Sequence, residues 1–427
     1  MKVLLVSPKA KENEAMKNGG GFRIAQMSLG QVAACLPPDA EIQLADELIA
    51  PAPLDTDADL IGITVMTEVV ERAYELGDEY RRRGKTVIMG GIHPTLLPLE
   101  AKLHCDAVVA GEAEGQIDRL VDDWRRGQLR PIYQNLAPVD LAGLPWPRRD
   151  LFDRRHYQTV NCLQLSRGCP NRCSFCVVPV IHGHRYRIRP LDDVLAEIDS
   201  LQSKEIFFVD DNFAADKKYA KEFCRRLATR DKLICGQLSA ATLNDGEMLG
   251  WLRKAGAVGF FVGFESISQA TLDAVGKRSK ATDYRDGIKR MHDNGMTMIG
   301  AFVFGLDTDG PDVFERTIEF VDSSEIDIVQ FTLLVPFPGT PIYQQLKDEN
   351  RLTHPAWWLE SAWNLVPYQP LHFTREELRS QWIRALTEVY RLPKAFKRTA
   401  WQLPGRPWLT SWITLKLNLA YRAGLSF

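Results

Sequence analysis

The stretch LSRGCPNRCSFCVVPV, Leu165–Val180, places three cysteines within eight residues, Cys169, Cys173 and Cys176. Four thiolates would close a zinc site or a cluster, and two would make a redox pair. Three leave a metal centre one ligand short. The C-x3-C-x2-C spacing is not the paired C-x2-C of a structural zinc site. It suits three thiolates on one loop holding three irons of a [4Fe–4S] cluster, the fourth iron remaining open to a chelating ligand. The competing reading is a closed electron-transfer cluster completed by a distant cysteine, Cys162 or Cys235.

The 427-residue chain is long enough for two or three domains, and its 45% hydrophobic and 25% charged residues are the balance of a soluble globular protein. A net charge of −2 gives no reason to expect a nucleic-acid partner. The opening MKVLLVS reads as a strand, not a secretory signal, and no apolar run reaches the roughly 18 residues of a membrane span. The expected location is therefore the cytoplasm, where the eight cysteines would stay reduced and the clustered ones would serve as metal ligands.

Around the cysteine loop the chain alternates apolar strands with helices. Residues 1–130 carry strand patterns at 2–7, 41–46, 60–65, 85–91 and 106–112, which predict a Rossmann-like, doubly wound parallel sheet. Its strand ends are rich in Gly and Thr, at GGG (19–21), GITVMT and GGIHPT, the ends at which open α/β sheets bind ligands. No G-x-G-x-x-G follows the first strand, which argues against a nicotinamide site. A proline-broken linker covers 131–160. In 161–345, strands at 161–167, 205–210, 233–239, 258–264, 297–304 and 327–335 predict a partial (β/α)6 TIM barrel, with the cysteines at the C-terminal rim. Residues 346–427 read as a small helical C-terminal domain. From Arg391 onward there are seven Lys or Arg, no acidic residue, and Trp401, Trp408 and Trp412. A helical cap on the barrel and a segment contacting anionic lipid both fit that composition.

C-x3-C-x-Φ-C, with Phe175 before the last cysteine, resembles the hallmark of the radical S-adenosylmethionine (SAM) superfamily. The resemblance implies that SAM chelates the open iron and that an electron from the cluster yields a 5′-deoxyadenosyl radical. The strand ends match in order. Asp210, Asp211 and Asn212 in FFVDDN resemble the position that binds the SAM amino group, and Gln237 and Ser239 in CGQLSA point polar groups at the rim. Glu265 and Ser266 in VGFESI resemble the ribose position. Gly300, Phe302, Gly305 and Asp307 in GAFVFGLD look like the adenine motif, with one extra residue between the glycines and Asp in place of Glu. Pro336–Pro341 of LVPFPGTPIY forms a rigid turn over the barrel mouth.

The N-terminal stretches DLIGITVMT, VIMGGIHPTLLPLEA and DAVVAGEAEG resemble the cobalamin-binding domain fused to the hopanoid and bacteriochlorophyll methylase branch of that superfamily. The corrinoid is then expected on Gly62, Thr64, Met66, Gly90, Gly91 and Thr95. The D-x-H-x-x-G motif whose His ligates cobalt elsewhere is missing, as is common in this branch; His93 and His104 are the only His of the domain. The implied function is cobalamin-dependent methyl transfer to an unactivated carbon of a small or lipid-like metabolite, with flavodoxin or ferredoxin as external reductant. The alternative is non-methylating radical chemistry (ring formation, rearrangement or 3-amino-3-carboxypropyl transfer) beside a vestigial cobalamin domain. A methylthiotransferase acting on RNA is set aside, because the N-terminal half offers only Cys35 and Cys105 for a second cluster. A non-catalytic carrier is opposed by the SAM-site features. The basic run HGHRYRIRP (182–190) reads as solvated charge, and Cys224 as a structural helix residue.

Overall fold

A computed structural model describes residues 1–10, 23–360, 366–400 and 408–424. The GGG at 19–21 and Trp401 lie outside them. The first sheet contains β1 (Lys2–Ser7), β2 (Glu41–Asp46), β3 (Leu60–Thr64), β4 (Thr86–Gly90), β5 (Ala107–Ala110) and β6 (Ile132–Gln134). All pair in parallel, in the order β2-β1-β3-β4-β5-β6. Every residue of β1 after Lys2 is buried, because both faces are covered. Leu4, Val6, Ile61 and Ile63 share one core with Ala73, Leu76 and Tyr80 of helix Val70–Arg82. Val3, Leu5 and Leu60 share the other with Leu29, Leu120 and Val121 of helices Met27–Ala34 and Ile117–Arg125. The sheet runs past residue 130: β6 belongs to it, a strand of three residues too short for periodicity to reveal. The strand order reverses between β1 and β3, and the crevice at their C-terminal ends is where such sheets take ligands.

The second body opens with β7 (Cys162–Leu163) and a two-stranded antiparallel hairpin, β8 (Ser166–Arg167) with β9 (Arg187–Ile188), that flanks the cysteine loop. It continues with β10 (Glu205–Phe208), β11 (Leu233–Ser239), β12 (Ala257–Glu265), β13 (Thr297–Phe304) and β14 (Ile328–Leu333). Six strands pair in parallel in the order β14-β13-β12-β11-β10-β7, a (β/α)6 partial barrel with helices outside.

Strand period decides which side chains see the lumen. On β13 these are Ile299, Ala301 and Val303, whereas Phe302 (1% exposed) points to the helix layer, stacked on Phe264 at 5.5 Å and edge-on to Phe320 and Phe331. Gly300 shares that outward face, where an added Cβ would lie 3.1 Å from Ile326. The Phe302 ring and the Cβ side of Gly300 therefore point away from the lumen where SAM contact was expected: both faces of this strand are apolar, so sequence alone cannot tell lumen from helix side. Accordingly, Phe302→Ala is expected to cost about 3–5 kcal/mol of stability in urea titration, as a core cavity does. SAM affinity of the folded fraction should stay at the wild-type value.

The C-terminal segment does more than cap. Trp357 and Trp358 enter the core of the first domain, and the Trp358 indole donates to Glu100 at 3.0 Å. Helix Arg375–Val389 starts in a capping box of Thr374 and Glu377 and covers β14, with the Trp382 indole donating to the Phe331 carbonyl at 2.9 Å. Helix Leu392–Ala400 follows, and helix Trp408–Gly424 closes the N-terminal end of the barrel. Asn418 on that last helix donates to the Asp327 carbonyl just before β14 and accepts from buried Arg398. Among the described residues no helix is long and apolar enough to cross a membrane.

Candidate active site

The loop after β8 carries all three cysteines as free thiols. Gly168, with φ 89°, turns the chain into it, where any Cβ would strike the Arg185 carbonyl at 2.4 Å. The loop is fixed to the barrel rim by backbone bonds from Ser174 N–H to the Val275 carbonyl (2.9 Å) and from Ile342 N–H to the Ser174 carbonyl (3.1 Å). The second bond comes from the helix that follows the proline-rich turn, placing that turn over the loop. Burial pushes the Cys176 thiol up to about 12, and its neighbours Cys173 and Cys169 add to the rise. The three sulfurs thus sense one another. Among the described residues no trio of His, Cys, Asp or Glu converges on a single ion, and three thiolates that each take a different iron need no such convergence. Cys162 and Cys235, the candidates for a fourth ligand, sit in barrel strands, with their thiols directed at the Ala25 and Ile206 carbonyls.

Two orphaned polar atoms beside the loop show that it suits a bound group. Asn212 donates to the Cys169 sulfur at 3.9 Å, while its own Oδ1, buried, has no partner in the protein. His182 Nδ1 is likewise buried and unpartnered. Such atoms are rare unless something else completes them.

The expected contacts divide once placed. Asp211 accepts from Gly168 N–H at 3.3 Å and faces His182. Gln237 and Ser239 point into the lumen. Glu265 is re-aimed: the β12–β13 register shifts between Gly263 and Glu265, and Glu265 takes φ 66°, a left-handed conformation that costs a non-glycine residue of order 1 kcal/mol. The distortion brings its carboxylate to buried Lys277 at 2.7 Å. Burial works against the Lys277 charge, but Glu265 and then the Cys173 thiol outweigh it and hold its pKa above the ordinary value. Sequence reasoning missed Lys277, since nothing in VGKRSK marks one lysine as buried.

Others serve the frame. Asp210 is 1% exposed, and its carboxylate accepts from Leu165 N–H (3.0 Å) and the Ser166 hydroxyl. Burial pushes that carboxyl up to about 7, against the pull of these bonds. It holds the strand that feeds the loop and does not face SAM as expected. Ser266 accepts from Ser268 N–H in a turn. Gly305 (φ 93°) is packed under Tyr368, whose hydroxyl donates to its carbonyl at 2.7 Å. Asp307 is paired with Arg351, and it is Asp309 that accepts from the Gly305 and Leu306 amides.

On the first domain, an added Cβ at Gly91 (φ 106°) would lie 2.9 Å from the Val65 carbonyl, Gly62 leaves room for Leu5, and Thr64 pairs with Gly90. Met66 is exposed. Together they form a small-residue edge able to admit a flat macrocycle closely. Thr95, by contrast, is used internally, donating to the Gly91 carbonyl at 2.7 Å and accepting from Gly111 N–H at 2.8 Å. His93 is fully buried with both ring nitrogens engaged, by Thr67 (3.3 Å) and Glu100 (3.1 Å), so it is not free to ligate cobalt; His104 stacks on Tyr74 and pairs with Asp78 at 2.8 Å.

A buried ionic clamp joins the two bodies. Arg167, the residue before Gly168, pairs with Glu114 at 2.6 Å and Glu112 at 2.7 Å, both from the loop after β5, and Arg187 joins Glu112 at 2.9 Å. Arg189, also buried, pairs with Glu197 at 2.7 Å. Within the 182–190 run Arg187 and Arg189 are therefore not solvated charge, whereas His184 and Arg185 are exposed as expected. In the β8–β9 hairpin Arg187 stands opposite Arg167, and the acidic loop of the first domain neutralises both. Burial raises the Glu112 carboxyl, but bonds from Arg187 and Arg167 outweigh it and hold it at about 2. Because that value lies below the ordinary 4.5, the clamp's contribution is complete above about pH 4.5 and is lost as pH falls through about 2. Urea titrations across that window should show wild type losing about 3 kcal/mol that the Glu112→Gln variant does not lose.

The chain matches the Radical SAM superfamily over residues 163–321 and the B12 binding domain over residues 27–121. It is 30% identical to bacteriochlorophyllide d C-12(1)-methyltransferase of Chlorobaculum tepidum, over 95% of this chain and 90% of the relative. The chain belongs to the B12-binding radical SAM enzymes. Its cofactors are accordingly a [4Fe–4S] cluster, SAM and cobalamin. Hopanoid C-2 methylase of Rhodopseudomonas palustris is 26% identical over 85% of this chain and 70% of its own. A radical SAM methyltransferase from Kitasatospora setae, solved with tryptophan and a SAM analogue, shares the fold at a TM-score of 0.68 and 20% identity, over 82% of this chain and 76% of its own. Cys169, Cys173 and Cys176 lie within the stretch matched to the Radical SAM superfamily.

Proposed function

We propose that the enzyme transfers a methyl group from SAM, by way of cobalamin, to an unactivated carbon of a small or lipid-like molecule. The observation that carries this reading is the Arg167–Glu112–Glu114 clamp, which fastens the cluster loop against the ligand edge of the B12-binding domain. In this reading the two cofactor sites lie on either side of that clamp. The cofactors supply a carbon radical and a transferable methyl group when bound; the protein orients and encloses. In this reading Cys169, Cys173 and Cys176 hold the cluster. Asp211, Asn212, Gln237, Ser239 and the Glu265–Lys277 pair line the SAM pocket, while Asp210, Ser266 and Gly305 keep its walls in position. The edge of Gly62, Thr64, Met66, Gly90 and Gly91, with Thr95 bracing it, receives the corrinoid. An external one-electron donor of the flavodoxin or ferredoxin type reduces the cluster.

Anaerobic turnover with reductant tests the proposal. Methyl transfer requires S-adenosylhomocysteine together with 5′-deoxyadenosine, and cobalt bound along with iron. Deoxyadenosine without S-adenosylhomocysteine would overturn it in favour of non-methylating radical chemistry.

A further inference from the structure

Between the closing helix Trp408–Gly424 and the barrel strands lies a cavity of about 670 Å³, within the range of small-molecule pockets. Its barrel wall includes the lumen-facing Phe207, Cys235, Phe261 and Ile299, and its floor includes Ile413 and Leu417 of the helix. Glu205, the one charged residue lining it among the described residues, is exposed and turned to the Ser203 hydroxyl. Water would find few partners in such a space, whereas an apolar ligand would gain from burial.

The cavity lies on the axis of the proposed site. Phe261 on its wall and Glu265 at the rim are on one strand, about 13 Å apart by strand rise. The layer between them includes Ser239, Gly263 and Ala301, paired in register and all small, and beside Ala301 the longer Gln330 of β14. The floor helix is also exposed on its outside. Trp412 is 52% exposed, Leu419 37%, and the Lys416 ammonium lies over the Trp412 ring. With no acidic residue after Arg391, this outer face suits an apolar molecule arriving from an anionic surface.

We propose that this cavity seats the apolar tail of the methyl acceptor, an elongated lipid threaded along the bore with its reacting carbon at the rim. The inference rests on the methylase reading and adds the acceptor's shape: a chain-like lipid, not a compact polar metabolite. The test needs no turnover. Full-length reconstituted protein is titrated anaerobically with 11-(dansylamino)undecanoic acid, followed by fluorescence. Saturable binding of one equivalent is expected, weakened about tenfold or more by Ala420→Trp, which fills the floor, and by Ile413→Asp, which charges it. Iron content and circular dichroism establish that both variants are folded. Dansylglycine, which lacks the chain, should bind at least about tenfold more weakly. Equal affinity for the two probes, or unchanged affinity in the folded variants, would overturn the proposal. So would a co-purifying lipid, seen by native mass spectrometry, that the probe cannot displace, since that lipid would be a structural plug. Absence of S-adenosylhomocysteine in turnover would defeat the methylase reading and leave this binding result standing, so the two failures are distinguishable.

Discussion

Cys173→Ala is expected to abolish reductive SAM cleavage in a chain that still folds. Cys173 is 8% exposed, and a truncation of this size in a loop held by backbone bonds to Val275 and Ile342 costs about 1 kcal/mol. The chemical loss is of another order. In the proposed site the three thiols would hold the cluster with one iron left for SAM, and losing one thiol would leave a second iron open to water and oxygen, so the cluster would degrade. Deoxyadenosine formation under reducing conditions should fall below about a thousandth of wild type, equivalent to about 4 kcal/mol or more in barrier. Iron analysis and visible absorbance should show loss of the cluster, and the melting temperature should move only a few degrees. A variant retaining a tenth of the wild-type rate with four irons bound would mean that this loop is not the cluster loop.

Arg167→Met is expected to loosen the two bodies from one another. The substitution keeps much of the volume and removes the charge, leaving Glu114, 5% exposed, without its cation and Glu112 with Arg187 alone. Removing one partner of a buried pair strands the other charge in low dielectric, at a cost of about 3–5 kcal/mol. In urea titration the transition should shift and broaden, and limited proteolysis should cut first in the connector between β6 and β7. Adding Glu114→Gln in the same chain should recover part of the loss, because the stranded charge is then gone. If Arg167→Met matched wild type in both measurements, the clamp would be dispensable and the proposed placing of the two cofactor sites beside it would lose its support.

Periodicity and local spacing made a large share of the molecule readable beforehand. Five of the six strands of the first sheet and all six of the barrel follow from apolar runs punctuated by glycine and polar turns, and the cysteine loop follows from three residues close in sequence. Long-range pairing escaped that reading. Arg187 and Arg189 look solvated because their partners, Glu112 and Glu197, are distant or unremarkable in the chain. Lys277 gives no local sign of burial, and the short β6 none of its existence.

The sequence by itself determined the two-domain α/β plan, the three thiols and their position after a strand, because helix and strand periods and ligand spacing are local properties. On β11 Gln237 and Ser239 marked the lumen side by polar alternation, but only the tertiary structure decided which side chains of β13 face the lumen, since a strand apolar on both faces carries no such mark. It alone turned Phe302 and Asp210 from ligand contacts into frame, bulged β12 to aim Glu265 at Lys277, and closed the barrel with the final helix to leave a cavity beneath the site.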